Sequence, residues 1–560
     1  MLRYQQIRQF ASAASKSPRI DPSKYKLTCG LEIHAQLMTP QKLFSAQNTG
    51  SLHAPPNSQV SFYDAALPGT QPLLNPNNVF LALRAAVALG CSVAPRFSFD
   101  RKHYFYGDQP AGYQITQHFE PYATDGLLTL YERDLSDGKK RGSADSIEDV
   151  RVRIKQIQIE QDTGKSTYID DTSNIDLNRT NHCLIEMVTE PDIPTPEAAG
   201  AFVRKLQQLL AHLGVCTGEL ESGAMRVDVN VSVSRRADKD TWDSGERCEI
   251  KNLSTTSAVV HAIRAEFARQ VADVEAGREI ERETRGWDGR RTWKLRSKED
   301  GVDYRYMPDP EVLPVELEPD VVERVTAGLP ELPDAILQRL LAAPYNVPLR
   351  DARTLMAGGE EEEVPGEVSQ RVLGQAGTLP VVEYYEAVFA RLVASGAETR
   401  LAANWIVHTL LGELKTLGRS AVVEGETVPL AAQFGDLLTA VSSKELTAAS
   451  GKLVLKHLLQ NPRETSTRSI DEIVEEFELA RAPTNGSAEA GAGTEDDVAA
   501  AVREVCTETM VKFPKIVEQI TSGKKPKSIQ FLIGQVMRET QGRVDPQAIE
   551  VVFKELLGQK

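Results

Sequence analysis

Three segments of the sequence place acidic residues and a histidine at alternating positions, the spacing of side chains on one face of a β-strand. This spacing groups Glu32 with His34 in GLEIHAQL, and it presents Glu160 in IKQIQIEQD and Glu186 in LIEMVTEPD. Carboxylates gathered beside an imidazole are costly to bury unless a cation neutralises them. We therefore predict a divalent metal site made of Glu32, His34, Glu160 and Glu186. The alternative is that each is an ordinary solvent-facing residue on a half-exposed sheet.

A second group of residues has the chemistry of a phosphate site. The alternation in RVDVNVSVS turns Arg226, Asp228 and Asn230 to one face, a floor for a phosphorylated or carboxylate ligand. Later segments add further charged and hydrogen-bonding side chains: Glu249, Lys251, Asn252, Arg296, Lys298, Arg305 and Tyr306. Arginine and lysine stabilise a phosphoryl group in transfer. Ordinary surface ion pairing is the alternative.

The run FDRKHYFYGDQPAGYQIT interleaves basic and aromatic residues. It contains Arg101 and Lys102 close to Tyr104 and Tyr106. Nucleobases and ribose rings stack on aromatic side chains, and phosphates pair with the basic ones, so the run predicts a nucleic-acid contact. Core packing would explain Phe105 equally well.

The segment DTGKST copies the end of a phosphate-binding P-loop through Gly164, Lys165 and Ser166. That motif also requires a glycine five residues before Gly164, where this chain has Ile159 inside a predicted strand. We reject the P-loop interpretation, so a nucleotide bound here must be held differently.

The end of the chain reverses the charge of the rest. Between Lys512 and Lys560 there are nine Lys or Arg and five Asp or Glu, whereas the whole chain has a net charge of -15. A basic group just before a predicted helix, Lys524, Lys525 and Lys527, suits a contact with a nucleic-acid backbone. A solvated basic surface is the alternative.

The elements that must position these residues indicate an α+β protein. From Tyr25 to Leu313 the chain alternates short strands, Gly/Pro turns and a few helices, one of them capped by Thr195 and begun at Pro196. Beyond Glu316 it becomes helical. We predict a mixed-sheet cradle domain over 24–315, an all-helical domain over 316–425, and a small helical tail domain over 426–560. The small and polar segment 482–497 is expected to be a flexible insertion within that tail domain.

Composition excludes several classes of protein. No apolar run of the 560 residues approaches the roughly 18 that a membrane-spanning helix needs, so no membrane insertion is expected. The six cysteines form no CxxC pair, which fits a reducing compartment. The first twenty residues are basic, rich in Ser and Ala, and free of acids, which is typical of a mitochondrial presequence. A plain disordered terminus is the alternative.

Ten segments together, in one order, resemble the B subunit of the glutamyl-tRNA(Gln) amidotransferase family. The match covers nearly the whole chain after the first twenty residues and rests on these segments: GLEIHAQL, LPGTQPLLN, FDRKHYFYGDQPAGYQIT, IEQDTGK, LIEMVTEPD, MRVDVNVSVS, EIKNLS, ETRGWD, RSKEDGVDYRYMPDP and FLIGQVMRETQGRVDP. No single segment decides the matter, but the set and its order are highly specific.

The resemblance implies a heteromeric ligase of the mitochondrial matrix that converts Glu-tRNA(Gln) to Gln-tRNA(Gln). An amidase (A) subunit would supply ammonia from glutamine, and a small auxiliary subunit would complete the complex. This subunit would bind the tRNA and phosphorylate its glutamate with ATP and Mg²⁺. We expect catalysis by Glu160, Glu186, Lys251 and Arg305. The nucleotide would be held by Arg226, Asp228, Asn230, Lys251 and Asn252.

Some positions depart from the family pattern. Many members have His where this chain has Gln158. Some members carry zinc-binding cysteine pairs, and Ser45 stands where one such cysteine is expected. No structural zinc is therefore expected. A His ligand is also unusual for Mg²⁺, so His34 points to Mn²⁺ as an alternative metal or to a role behind the direct ligands.

Two other functions stay open. In the first, the chain would be a tRNA-binding scaffold without phosphoryl transfer. In the second, it would be a self-sufficient ATP-dependent amide ligase that uses free ammonia on a small acid. The joint presence of Glu32, His34, Glu160 and Glu186 argues against the scaffold, and activity without tRNA would favour the ligase.

Overall fold

The computed structural model describes most of the chain. The described residues are 20–50, 54–135, 148–238, 241–297, 303–358, 379–419, 422–460, 467–477, 479, 495–521, 528–539 and 546–557. The expected presequence, apart from Ile20, lies outside these ranges. So do Lys298, the basic group Lys524, Lys525 and Lys527, and residues 482–494 of the expected flexible insertion.

The first part of the chain is built on a ten-stranded sheet with strand order β15-β14-β13-β11-β1-β10-β7-β6-β2, with β12 paired to β11. Smaller sheets are β16-β4-β5, β17-β3 and β8-β9. The strands are β1 Tyr25–Gln36, β2 Ser92–Val93, β3 Arg96–Phe97, β4 Asp100–His103, β5 Tyr113–Thr116, β6 Ala123–Leu130, β7 Val150–Gln161, β8 Lys165–Ile169, β9 Thr172–Asp176, β10 Cys183–Thr189, β11 Met225–Arg236, β12 Trp242–Ser244, β13 Cys248–Leu253, β14 Glu283–Trp287, β15 Thr292–Ser297, β16 Met307–Pro308 and β17 Val315–Glu316.

Helices α1 Pro76–Ala88, α2 Glu132–Leu135, α3 Pro196–His212, α4 Thr256–Glu275 and α5 Val321–Ala327 accompany this sheet. Helix α3 begins as predicted, because the Thr195 hydroxyl accepts a hydrogen bond from the Ala198 amide at 3.1 Å. Its Phe202 and Leu206 share a buried core with Leu31 and Ile33 of β1 and with Val227 of β11. The opposite, polar face of the sheet is thereby left for the candidate site.

The chain divides into two compact units near Pro333. The second unit is helical: α6 Pro333–Leu341, α7 Leu349–Met356, α8 Pro380–Ser395, α9 Arg400–Trp405, a π-helical turn Ile406–Leu410, α10 Leu411–Thr416, α11 Ala431–Ser442, α12 Ala448–Gln460, α13 Ile470–Glu476, α14 Glu495–Lys512, α15 Pro514–Thr521, α16 Ile529–Glu539 and α17 Pro546–Leu556. A mixed-sheet part followed by helices confirms the predicted α+β class.

The second unit contains two hydrophobic cores. One extends from Ile336 to Leu479, across the domain boundary expected at 425/426, and the other from Val502 to Leu557. Helix α14 begins at Glu495, inside the segment expected to be a flexible insertion. Across the described ranges, no helix is long and apolar enough to cross a membrane.

Candidate active site

Strand register brings the predicted metal ligands onto one face of the central sheet. His34 lies directly opposite Glu186 of β10 on one side and Arg226 of β11 on the other. Glu186 in turn lies opposite Gln158 of β7. Directly paired residues of antiparallel strands project from the same side, so these side chains meet over the same area of the sheet.

The four predicted metal ligands lie together there. Ligand atoms of Glu32, His34 and Glu186 are all within 4.8 Å of one another. The Nε2 atom of His34 lies 3.7 Å from Oε1 of Glu160 and 3.8 Å from Oε2 of Glu186. We call Glu32, His34, Glu160 and Glu186 the acid cluster.

Side chains of the small sheet fix Glu160 from the other side. Gln114 Nε2 donates to Glu160 Oε1 at 2.9 Å, and Thr116 Oγ1 donates to Oε2 at 3.0 Å. Lys102 Nζ lies 4.0 Å from Oε2. Gln114 and Thr116 were missed as site residues, although their alternation in YQIT was the signal, because that run was interpreted only as a nucleic-acid contact.

Burial sets the electrostatics of the acid cluster. It raises the pKa of Glu186 well above the usual range, and the neighbouring Glu160 and Glu32 raise it further. Burial also raises the pKa of Glu160, but Lys102, His34 and hydrogen bonds from Glu186 and Thr116 more than offset this and lower it. Glu186 therefore favours its protonated form more strongly than Glu160 does, and a divalent cation could replace that proton.

The residues present fit a divalent metal. Carboxylate oxygens suit Mg²⁺ or Mn²⁺, and the single imidazole is compatible with Mn²⁺ in particular. Burial raises the pKa of Glu32, an effect that His34 and Lys251 partly oppose. Several carboxylates buried close together repel one another, and a bound cation would offset this repulsion.

A second acidic group surrounds Lys251. Glu32, Asp228 and Glu249 have oxygen atoms within 4.8 Å of one another. Lys251 Nζ lies 3.0 Å from Asp228 and 3.1 Å from Glu249. Burial lowers the pKa of Lys251, but Asp228, Glu249 and Glu32 raise it above the usual value, so the ammonium stays charged. The sequence identified Lys251 as a cation without indicating that Glu249 shares an acidic group with Asp228.

Other residues of the predicted phosphate floor lie close to these two acidic groups. Asn230 lies opposite Glu249 in the β11–β13 pairing. Asn252 has φ of 64°, a left-handed conformation that is uncommon outside glycine. Arg226 extends to Asp162, with Nη2 2.9 Å from Oδ1. Over the described part of the chain, the buried Nε of Arg226 has no hydrogen-bond acceptor.

The predicted nucleic-acid residues have different environments. Arg101 pairs with Asp309 at 2.6 Å and with Glu311 at 2.9 Å, so it is committed to ion pairs within the protein. Tyr104 and Tyr106 have ring centroids 4.6 Å apart, and Tyr106 is exposed. Lys102 faces the acid cluster, as described above.

Arg305, a predicted catalytic residue, is not brought to the acid cluster by any described contact, and neither is Glu190. Arg305 is exposed, has φ of 44°, and pairs with Asp303 at 3.9 Å. Glu190, which shares the spacing of Glu186, lies beyond the end of β10, where its amide donates to the Arg153 carbonyl. Arg296 lies in β15, and its side chain is not described.

Gly164 packs closely without forming a phosphate loop. Its amide donates to the Asp108 carbonyl at 2.8 Å. A Cβ at Gly164 would lie 3.1 Å from that oxygen, from the Asp176 carbonyl and from Thr180 Oγ1. Lys165 is exposed in β8. Close backbone contact is therefore sufficient to explain the glycine.

A buried ion pair holds the segment around Ser45. Lys42 Nζ lies 2.9 Å from Asp64 Oδ2, and both side chains are fully buried. Asn181 Nδ2 donates to Asp64 Oδ1 at 3.0 Å, and the Ser45 hydroxyl lies 3.5 Å from the same oxygen. This pair was not predicted, since its partners are separated by a turn-rich segment without periodicity.

Comparison with known proteins identifies related chains. Residues 27–323 match the family described as the GatB/GatE catalytic domain, and residues 387–557 match the family described as the GatB domain. The B subunit of the mitochondrial glutamyl-tRNA(Gln) amidotransferase of Yarrowia lipolytica is 43% identical over 94% of each chain. The proteins of the same name from Candida tropicalis and Debaryomyces hansenii are 41% and 39% identical, over 95% and 98% of this chain and 97% and 98% of theirs.

Proposed function

Because this chain belongs to the family of mitochondrial glutamyl-tRNA(Gln) amidotransferase B subunits, we propose that it binds Glu-tRNA(Gln) and phosphorylates its glutamate. The activity is transamidation of Glu-tRNA(Gln) to Gln-tRNA(Gln) in mitochondria, by a ligase made of several subunits. The observation that carries the assignment of the phosphorylation step is the acid cluster beside Lys102, Arg226 and Lys251.

The chemistry requires activation because a carboxylate is a poor acyl donor. One oxygen of the glutamyl side-chain carboxylate attacks the γ-phosphorus of ATP, and the bond between that phosphorus and ADP breaks. Ammonia then attacks the carbonyl carbon of the acyl phosphate. The bond to phosphate breaks, a proton leaves the nitrogen, and the amide forms.

The acid cluster suits the first of these steps. Glu32, His34, Glu160 and Glu186 would hold Mg²⁺ or Mn²⁺, which would supply positive charge to the phosphate oxygens. Glu160 is held at both oxygens by Gln114 and Thr116. A carboxylate fixed in this way keeps its position while the substrate reacts.

Three basic side chains, Lys102, Arg226 and Lys251, lie around the acid cluster. Lys102 lies 4.0 Å from Glu160, and Arg226 is oriented by Asp162. Lys251 stays charged between Asp228 and Glu249. We assign these cations to the phosphoryl oxygens and to the substrate carboxylate, because charged donors in a site largely closed to water stabilise charge that develops during transfer.

Ammonia is assigned to an amidase partner. The sequence contains no Gly-rich Ser–Ser–Lys segment of the kind an amidase needs, and it has no plausible turn around a nucleophilic Cys. We propose that this amidase subunit and a small auxiliary subunit complete the complex in the mitochondrial matrix.

The deciding experiment is ATP-dependent conversion of Glu-tRNA(Gln) by the purified complex, with ammonium chloride as the nitrogen donor. Glu160→Ala is expected to lower the rate by at least about 100-fold while tRNA binding and folding persist. The matched control is Glu190→Gln, which replaces an acid that lies just past the end of β10. Undiminished conversion by Glu160→Ala would reduce this chain to a tRNA-binding scaffold.

A further inference from the structure

The rings of His118 and Tyr306 form a flat stacked pair. Their centroids are 3.8 Å apart and their planes differ by 7°. His118 is exposed and Tyr306 is half-buried, so the pair presents an aromatic surface at the edge of the site. Phe119, 58% exposed, meets the His118 ring edge-on with centroids 4.9 Å apart. The three rings form a corner, which we call the aromatic platform.

Two buried aspartates fix the segments that carry this platform. Asp100 Oδ2 accepts hydrogen bonds from the amides of His118 and Phe119 at 2.7 and 2.9 Å. Asp309 Oδ1 accepts from the amides of Glu311 and Val312 at 2.8 and 2.7 Å. Both aspartates are almost fully buried. The platform is therefore built in advance, and a flat ligand would not have to order it.

The platform lies beside the acid cluster. The Tyr304 ring is 6.0 Å from the Tyr306 ring, and Lys102 Nζ lies 5.0 Å from the Tyr304 ring and 4.0 Å from Glu160. Burial raises the pKa of Tyr306 to about 12; Lys102 opposes the shift, whereas Glu160 and Glu186 add to it. Tyr306 is therefore close enough to the acid cluster for the charges of Glu160 and Glu186 to affect its pKa.

We propose that the aromatic platform stacks the terminal adenine of the aminoacylated tRNA and so places the attached glutamyl group at the acid cluster. This inference rests on the proposed function. Stacking on an aromatic ring is the usual way in which proteins hold an unpaired base. The glutamyl ester is joined directly to the terminal ribose, so a base held at the edge leaves its amino acid within reach of Glu160.

Charge favours the tRNA end over the adenine of ATP at this surface. Glu120 follows Phe119 and is half exposed, with Arg96 as an exposed partner 3.4 Å away. Glu311 lies on the other segment and pairs with Arg101. Both arginines are thus engaged by acids rather than free for a triphosphate, whereas a terminal nucleoside, which is preceded by a single phosphate, needs less compensating charge.

The test uses the purified complex and two uncharged competitor tRNAs, one complete and one lacking the terminal adenosine. The wild type is expected to bind the complete tRNA more tightly, by roughly 5- to 100-fold for one stacked base. His118→Ala should remove most of this difference and His118→Phe should restore it, while the KM for ATP stays unchanged. Tyr168→Ala, which removes an exposed aromatic ring from β8, should leave the difference in affinity between the two tRNAs intact.

Two results would overturn the proposal. One is a preference for the complete tRNA that His118→Ala leaves unchanged, and the other is a rise in the KM for ATP, which would assign the platform to the nucleotide. The tRNA comparison needs no turnover. A wild-type complex that failed to convert Glu-tRNA(Gln) would contradict the proposed function, whereas equal binding of the two tRNAs would contradict the platform alone.

Discussion

The Nε2 atom of His34 lies 3.8 Å from Oε2 of Glu186, its direct partner across the β1–β10 ladder. Sheet pairing alone therefore holds an imidazole against a buried carboxyl. Glu160 approaches the same nitrogen to 3.7 Å. Two acids that converge on one imidazole are stabilised by a proton or by a metal cation, and substitution can separate these two states.

Glu186→Gln should distinguish the protonated state from the metal-bound state. Since the pKa of Glu186 is raised by burial and by Glu160, glutamine resembles the protonated acid and should change the metal-free unfolding temperature little. Added Mn²⁺ should stabilise the wild-type complex, and the substitution should weaken this effect by at least about tenfold in metal concentration. Thermal unfolding with and without Mn²⁺ measures both. Equal stabilisation of the two proteins would place the metal elsewhere.

His182 should make the cradle sensitive to acid. Burial lowers its pKa to about 4, so the unfolded chain binds a proton more readily than the folded chain. Stability should be intact above the ordinary histidine pKa of about 6.5 and fall as the pH drops towards 4. At pH 5 the loss attributable to this group is about 2 kcal/mol.

His182→Gln should reduce that loss without abolishing other acid effects. Urea unfolding at pH 7.5 and pH 5 provides the comparison, and His261→Gln serves as the control because His261 is exposed on α4. An unchanged difference between the two pH values would mean that His182 takes up no proton on unfolding in this range.

The Lys42–Asp64 pair should be costly to break from one side. Both side chains are fully buried, and Lys42 Nζ also donates to the Gln59 carbonyl at 2.7 Å. Lys42→Met leaves a buried carboxylate without its cation, at a cost of about 3–5 kcal/mol. The double variant Lys42→Met, Asp64→Asn should recover part of this loss. Urea unfolding of the wild type, Lys42→Met, Asp64→Asn and the double variant gives the coupling free energy between the two residues. Strictly additive effects of the two substitutions would contradict a coupled pair.

Alternation in the sequence was sufficient to identify the polar face of the sheet. It predicted that Glu32 and His34 project together, and that Arg226, Asp228 and Asn230 do so too. Side-chain period in a strand is a local property, fixed by backbone geometry, and can therefore be deduced without the fold. The helix that begins at Pro196 was predictable for a similar reason, since its Thr195 cap is local.

Neighbour relations between strands could not be deduced in this way. β1 lies between β10 and β11, so His34 meets Glu186 and Arg226 from distant parts of the chain. Arg101 was expected to face nucleic acid, but Asp309, far along the chain, pairs with it at 2.6 Å. Only the register reveals such partners, because periodicity gives the side of a strand and not the strand beside it.

Lys165 and Lys251 should have opposite importance for ATP. Lys165 follows Gly164 in the P-loop-like segment but is exposed, whereas Lys251 is held within 3.1 Å of Asp228 and Glu249. Lys165→Ala should leave the KM for ATP within about twofold of the wild-type value, as expected for a surface residue. Lys251→Ala should lower kcat/KM for ATP by about 100-fold or more, since it removes a charge fixed inside the site. Initial rates of ammonium-dependent conversion at varied ATP concentration measure both. A tenfold rise in KM with Lys165→Ala would restore the phosphate-loop interpretation of DTGKST, and with it a nucleotide bound at the loop between β7 and β8.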